Sequence, residues 1–379
     1  MKKIGIITIN DYNNYGNRLQ NYASQEVLKT LGFHVETIVT SNNSYSEKKI
    51  SIIKKIQNIR EKSAKQIYMK VIARIKKILN ENQTVKCRNK RIEFFKEFTR
   101  INILESNYTI LNNAIPANLV STFDYFIVGS DQVWNPFIRH GSSIDFLSFA
   151  PKSKRIAYSP SFGISEIPSE YIDRYKIGIS EMNRLSVREK MGAEIIKELT
   201  GRDASVLIDP TLMLTKEKWI SISKEAQSKP KDKYLLTYFI GAISKQSNRK
   251  IREIAMEKKL EIVYLNNIKD YERHILDPSE VIDLINSASV LCTDSFHGAI
   301  FSILMETPMV VFDRMSIMPS MNSRIETLLK TFKLESRMLK NIETNEQAFH
   351  INYEHVAPIL EVERKKAIDY LKESLNVKN

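Results

Sequence analysis

Two doubly wound α/β units facing one cleft are what this sequence predicts. Three observations carry the prediction. Strand-like and helix-like segments alternate along the chain, the alternation restarts near residue 180, and the polar, chemically unusual stretches fall where strands end. At 379 residues the chain is also too long for one ordinary core. The expected organisation is a first unit over 1–180, a second over 181–360, and a last helix over 361–379 with the first unit as its expected packing partner. A helical insertion at about 46–105 interrupts the first unit.

The first unit opens with "KIGIITIN", a buried strand, then the polar loop "DYNNYGN" and the helix "RLQNYASQEVLKTLG", closed by Gly32. "FHVETIVT" is the next strand. After the insertion, "FDYFIVGSD" is the near-continuous apolar run of a buried parallel strand, and "KRIAYSPSFG" repeats that logic. The helix "SEYIDRYKIGISEMN" completes the unit. In the second unit the strands are "RLSVREK", "ASVLIDPTLML", "KYLLTYFIG", "EIVYLNN", "VLCTD" and "PMVVFD". Between them lie the helices "MGAEIIKELTG", "SNRKIREIAMEKKL", "PSEVIDLINSAS" and "GAIFSILMET". Polar, Lys-rich Ser221–Lys233 reads as a loop within this unit, and "PILEVERKKAIDYLKESL" as the last helix.

The net charge is +13, and it is localised. Lys48–Arg100 holds 17 basic and 4 acidic residues, the whole of that excess. Apolar residues recur there at helical spacing: Ile52, Ile56 and Ile59, then Ile67, Val71, Ile75 and Ile78. A solvated helix packed on its own unit and an amphipathic helix on an anionic membrane surface both fit this pattern. Nucleic acid fits less well, because no aromatic-interleaved basic motif or zinc spacing accompanies the charge. The apolar run at the N-terminus is broken by Asn10 and Asp11, unlike a signal peptide, and no stretch approaches a membrane span. The expected location is cytoplasmic, with peripheral contact at the inner membrane face through 48–100 left open. Cys87 and Cys292 give no disulfide framework, and no cofactor or metal is expected from the residue spacings.

In open parallel sheets, ligands bind beyond the carboxyl ends of the strands. That rule selects Asn10–Arg18, Gly129–Trp134, Ser159–Phe162, Ser186–Glu189, Asp209–Thr211, Asp294–His297 and Asp313–Arg314. In "DSFHG", Asp294 or Ser295 can cap the helix that follows, leaving first-turn N–H groups for an anion and His297 as proton donor or phosphate ligand. A histidine bonded to backbone is the plain alternative. Arg188, at the end of "SVREK", suits a carboxylate or phosphate, or else a surface ion pair with Glu189. Gly16 and Asn17 lie just before a helix, as in a phosphate or sugar loop, but match no G-x-G-x-x-G or P-loop pattern. Asp131 and Trp134 form the carboxylate-plus-indole pair common in sugar sites, or a turn beside a packed Trp. Asp209 precedes a proline and reads equally as a capping turn.

Taken in order and spacing, "NYGNRLQNYA", "FDYFIVGSDQVWNP", "SVREK", "IDPTLML" and "DSFHGAIFSILMETPMVVF" resemble the polysaccharide pyruvyl transferase family, over about Lys2–Leu329. The resemblance implies two Rossmann-like domains similar to the B-type glycosyltransferase fold. It also implies transfer of a pyruvyl group from phosphoenolpyruvate to two hydroxyls of a sugar, giving a ketal in bacterial surface polysaccharide. It makes His297 and Asp131 the catalytic pair, and Arg188, Ser295, Phe296, Gly298, Arg314 and Arg324 the phosphoenolpyruvate contacts. Gly16, Asn17, Arg18 and Trp134 become the acceptor contacts, the acceptor being a saccharide that is polymeric, lipid-linked or nucleotide-linked. Family members often carry Arg-Leu-His where this chain has Ser295-Phe296-His297, so one anion ligand is missing there; Arg314, Arg324 or Arg18 is the expected substitute. A B-type glycosyltransferase using a nucleotide sugar and a non-catalytic sugar-binding relative remain the alternatives.

Overall fold

The computed structural model describes residues 1–41, 85–111, 113–266, 273, 275–314 and 323–377. Most of the basic insertion, including the apolar series Ile52–Ile78, lies outside them. The first sheet begins with β1 (Lys3–Ile7), α1 (Tyr15–Thr30), β2 (His34–Ser41), helix α2 (85–102) and β3 (Glu105–Leu111). It continues with β4 (Tyr125–Val128) and β5 (Arg155–Ala157). Its order is β3-β2-β1-β4-β5, and every pairing is parallel. All four β4 residues are buried, as an apolar run covered on both faces requires. β3 was not expected from the sequence. Its polar "ESNYTIL" sits at the sheet edge, where one face meets water and the apolar signal is diluted.

Next come α3 (Ile172–Ser180), β6 (Ser186–Val187), α4 (Lys190–Thr200) and β7 (Ser205–Val206). β6 and β7 pair with each other, and they adjoin β5: Ala157 N donates to Arg184 O at 3.0 Å, and Ser186 Oγ to Ala157 O at 2.7 Å. They therefore extend the first sheet. The expected boundary at 180 falls at the end of α3, just before these two strands.

The second sheet follows α5 (Lys216–Ile222). It contains β8 (Tyr234–Tyr238), α6 (Lys245–Glu257), β9 (Glu261–Leu265), α7 (Pro278–Ser287), β10 (Val290–Thr293), α8 (Phe296–Met305) and β11 (Met309–Val311). Its order is β11-β10-β8-β9, again all parallel. Proline at the first helical position and an Asp277–Glu280 capping box start α7. All ten residues of α8 are buried, so it is a core helix with no polar face. α9 (Ser323–Thr331) and α10 (Val356–Ser374) close the chain. α10 returns to the first sheet, where Tyr370 donates its hydroxyl to Ala157 O at 2.7 Å. No helix among the described residues is long and apolar enough to cross a membrane.

One apolar core runs through both halves. Trp219 of α5, wholly buried, packs edge-on against Tyr22 of α1 and Phe301 of α8, with ring centroids 5.6 and 4.9 Å away. Truncating a buried Trp to Ala typically costs about 3–5 kcal/mol. This contact ties the middle of α1 to the middle of α8.

Candidate active site

α1 begins three residues earlier than the sequence suggests. Asn14 caps it by accepting from Asn17 N, so Gly16 and Asn17 lie in its first turn rather than in a loop. That shift explains the glycine. Any Cβ on Gly16 would run into the imidazole of His297, so the two helix starts interlock there.

Three strand ends of the first sheet deliver charge to the same place. After β6, Arg188 donates from Nη1 to Asp209 Oδ2 at 2.6 Å and to Ser130 Oγ at 3.2 Å. Ser130, after β4, donates in turn to Asp209 Oδ2 at 2.7 Å. Asp209, after β7, uses its other oxygen as a cap, accepting from Thr211 N and Oγ1. The turn reading of Asp209 is thus seen on one oxygen, while the other holds Arg188 and Ser130. Asp131 takes a left-handed backbone, φ 79°, which Asp tolerates better than most residues. The turn aims its carboxylate at Asn17, whose Nδ2 donates to it at 2.8 Å.

His297 enters from the second sheet, on the first turn of α8. It is 8% exposed, and its Nε2 stands 3.7 Å from Asp209 Oδ2, outside hydrogen-bond range. Phe296 beside it is a platform: the Arg188 guanidinium lies 4.3 Å from its ring centre and that of Arg324 lies 5.9 Å away. Arg188, Arg324 and His297 are each more than nine-tenths buried. Arg188 Nε and Nη2, Arg324 Nε and His297 Nε2 have no hydrogen-bond partner among the described residues. Buried donors without acceptors are costly, so this cluster is chemically incomplete and suited to an anion.

The electrostatics agree. Burial raises the pKa of Asp131 and of Asp209, but other interactions outweigh it. For Asp131 the Arg188 and His297 charges lead, and for Asp209 His297 leads and then Arg188, so both carboxyls sit below the ordinary range. Burial, with repulsion from Arg188 and Arg314, pushes Arg324 down to about 9. It stays charged at pH 7, at an electrostatic cost that a bound anion would offset.

Several expected contacts are placed elsewhere. Ser295 caps α8, accepting from Gly298 N at 3.2 Å, so the Gly298 N–H expected to bind phosphate is engaged inside the helix. Arg314 donates to Asp294 O at 2.9 Å. Arg18 is fully buried, donating to Ile9 O and Asn17 Oδ1, with Glu105 3.5 Å away, so it braces the β1–α1 loop and does not reach the cluster. Trp134 is a core residue: wholly buried, it donates its indole N–H to Asp145 O and stacks on Phe146, leaving no face for a sugar. Glu189 does not pair with Arg188. Strand alternation points it the other way, where it accepts from Ser161 Oγ, Phe162 N and Gly163 N. Among the described residues no group of three His, Cys, Asp or Glu side chains is arranged to hold a metal ion.

Comparison with known proteins follows the same lines. The sequence model of the polysaccharide pyruvyl transferase family matches residues 14–316. A search of curated sequences finds no significant match. Among solved structures, the S. aureus MnaA–UDP co-structure aligns at 11% identity and TM-score 0.53, covering 100% of this chain and 98% of that one. A putative UDP-N-acetylglucosamine 2-epimerase from Listeria monocytogenes aligns at 11% identity and TM-score 0.49, covering 98% and 90%. UDP-GlcNAc 2-epimerase from Neisseria meningitidis bound to UDP-GlcNAc aligns at 9% identity and TM-score 0.46, covering 98% and 100%. The expected two-sheet α/β architecture is thus shared with the S. aureus structure.

Proposed function

The chain belongs to the polysaccharide pyruvyl transferase family, and we propose that it moves a pyruvyl group from phosphoenolpyruvate onto two hydroxyls of a saccharide, forming a ketal. The observation that carries this reading is the buried Arg188–Arg324–His297 cluster, with its unused donors beside two ionised aspartates. Phosphoenolpyruvate brings a carboxylate and a phosphate, and two guanidiniums bind such groups well.

In this reaction a first sugar hydroxyl adds across the enol double bond. Its oxygen bonds C2, C3 gains a proton, and the hydroxyl gives one up. A second hydroxyl then displaces phosphate from C2, and its proton leaves with the phosphate. No further co-reactant is needed. In this reading His297 protonates C3, with its Nε2 3.7 Å from Asp209 Oδ2. Asp131, held ionised, accepts a hydrogen bond from the attacking hydroxyl and orients it. The arginines hold the donor and stabilise departing phosphate.

Phosphoenolpyruvate at 100 times its Kd should stabilise the protein by about 2.7 kcal/mol, read as a rise in Tm, and inorganic phosphate should appear once an acceptor is added. No shift, and no phosphate with any saccharide, would refute the assignment. The second reading is a nucleotide-sugar enzyme, suggested by the UDP in the S. aureus relative. A shift with UDP and none with phosphoenolpyruvate would select it. The basic segment at 48–100 suits an acceptor held at an anionic membrane; Lys-to-Glu changes across Lys48–Lys77 should then weaken binding to anionic vesicles and spare activity on a soluble acceptor.

A further inference from the structure

A cavity lies close to the same histidine, without His297 itself in its lining. It has a volume of about 380 Å³, inside the roughly 300–1,000 Å³ range of small-molecule sites. Asp11, Asn13 and Tyr15 line it from the first sheet, Tyr238 and Gly241 from the second, and Arg91 from α2. Its wall is one residue from the chemistry: Gly16, next to Tyr15, lies against the His297 ring, and Tyr238 lies against Gly298, next to His297.

The lining has the character of a sugar site. Tyr15 and Tyr238, 6.1 Å apart and nearly perpendicular, are buried in its wall, among a carboxylate, amides and a guanidinium. Arg91 ties the cavity together. It stacks 4.3 Å from the Tyr15 ring centre and donates to Asn13 O on one side and Asn266 Oδ1 on the other. The independent sign of a ligand is the Tyr15 hydroxyl. Tyr15 is 1% exposed, and its OH has no hydrogen-bond partner among the described residues. A buried hydroxyl left in that state calls for an external group.

We propose that this cavity is the acceptor subsite, that it binds a saccharide with the diol to be modified turned towards His297, and that Arg91 and α2 set which saccharide fits. The proposal rests on the pyruvyl-transfer reading. It replaces Arg18 and Trp134, which are both buried in structural roles, with residues that line a cavity.

The test uses the full chain on an array of hexose-containing oligosaccharides with free diols, each beside its O-methylated counterpart. In parallel, the phosphoenolpyruvate-induced Tm shift is measured. Asn13 is exposed, so Asn13→Trp fills the cavity from a tolerant position, and Tyr15→Phe removes only the unpartnered hydroxyl. Wild type should bind a subset of the free-diol glycans. Asn13→Trp should lose that binding by about tenfold or more, and Tyr15→Phe by about two- to tenfold. Both variants should keep the phosphoenolpyruvate shift, which certifies their fold. Wild type binding no glycan, or Asn13→Trp binding the same glycans equally, overturns the subsite. Glycan binding sensitive to Asn13→Trp without any phosphoenolpyruvate shift sinks the donor assignment and leaves the subsite standing.

Discussion

On the first-sheet wall of the cleft, Arg188 and Asp209 meet at 2.6 Å, yet Arg188 keeps Nε and Nη2 without partners among the described residues. On the second-sheet wall, Asp294 has both oxygens engaged by Ile240 N and Gly241 N, and Ser295 closes the cap of α8. Both walls place polar residues at strand ends, and both are buried. They differ in whether those polar groups are satisfied within their own loops. The second wall's strand-end loop is scaffold. Its contributions to the cluster, His297 and Arg324, stand on helices.

The comparison is broken most severely by removing the proposed proton donor. His297→Ala should lower phosphate release about 10²–10⁴-fold while leaving the phosphoenolpyruvate Tm shift measurable; release at the wild-type rate would reduce His297 to a packing residue. On the first wall, Arg188→Met strands the Asp209 carboxylate in the interior, so unfolding free energy should fall by about 3–5 kcal/mol in urea titration. Asp209→Asn tests the same pair through pH. Its folded pKa is depressed, so its stabilisation is present above the ordinary carboxylate pKa and is lost as pH falls below it towards the folded value. The variant should be less stable at pH 7 and lose less on acidification below about pH 4.

Gly16→Ala pushes the His297 ring aside, and a displacement of about 1 Å can cost about 10²-fold in rate. The expected result is a fall in kcat with little change in the phosphoenolpyruvate Tm shift. The smallest effect belongs to the satisfied wall. Ser295→Ala should cost about 1 kcal/mol as a lost cap and leave phosphoenolpyruvate binding intact. A large loss of binding there would restore Ser295 as a donor contact.

The architecture was legible because buried parallel strands write themselves as apolar runs, and the strand-end rule selected Asp131, Arg188, Asp209 and His297. What it could not supply was direction. Nothing in "SVREK" separates Arg188 with an unmet need from Glu189 satisfied by Phe162 N and Gly163 N. Trp134 lies in a polar stretch, but its indole N–H finds Asp145 O more than ten residues along, a contact no local pattern encodes. Arg18 was misplaced because α1 starts at Tyr15, turning the arginine into the interior of its own loop. Arg91 was hidden inside a run of basic residues, where its one neighbourly distinction, reaching Asn13 and Asn266, is tertiary.

Arg324 offers the most direct test of the central claim, a donor site held by an unsatisfied guanidinium pair. Arg324→Met keeps the side chain's length and removes a buried charge repelled by Arg188 and Arg314. The deciding measurement is the melting temperature of wild type and Arg324→Met, with and without phosphoenolpyruvate. The account predicts that the variant without ligand melts at or above the wild type, and that phosphoenolpyruvate stabilises only the wild type. Equal shifts in both proteins would contradict it.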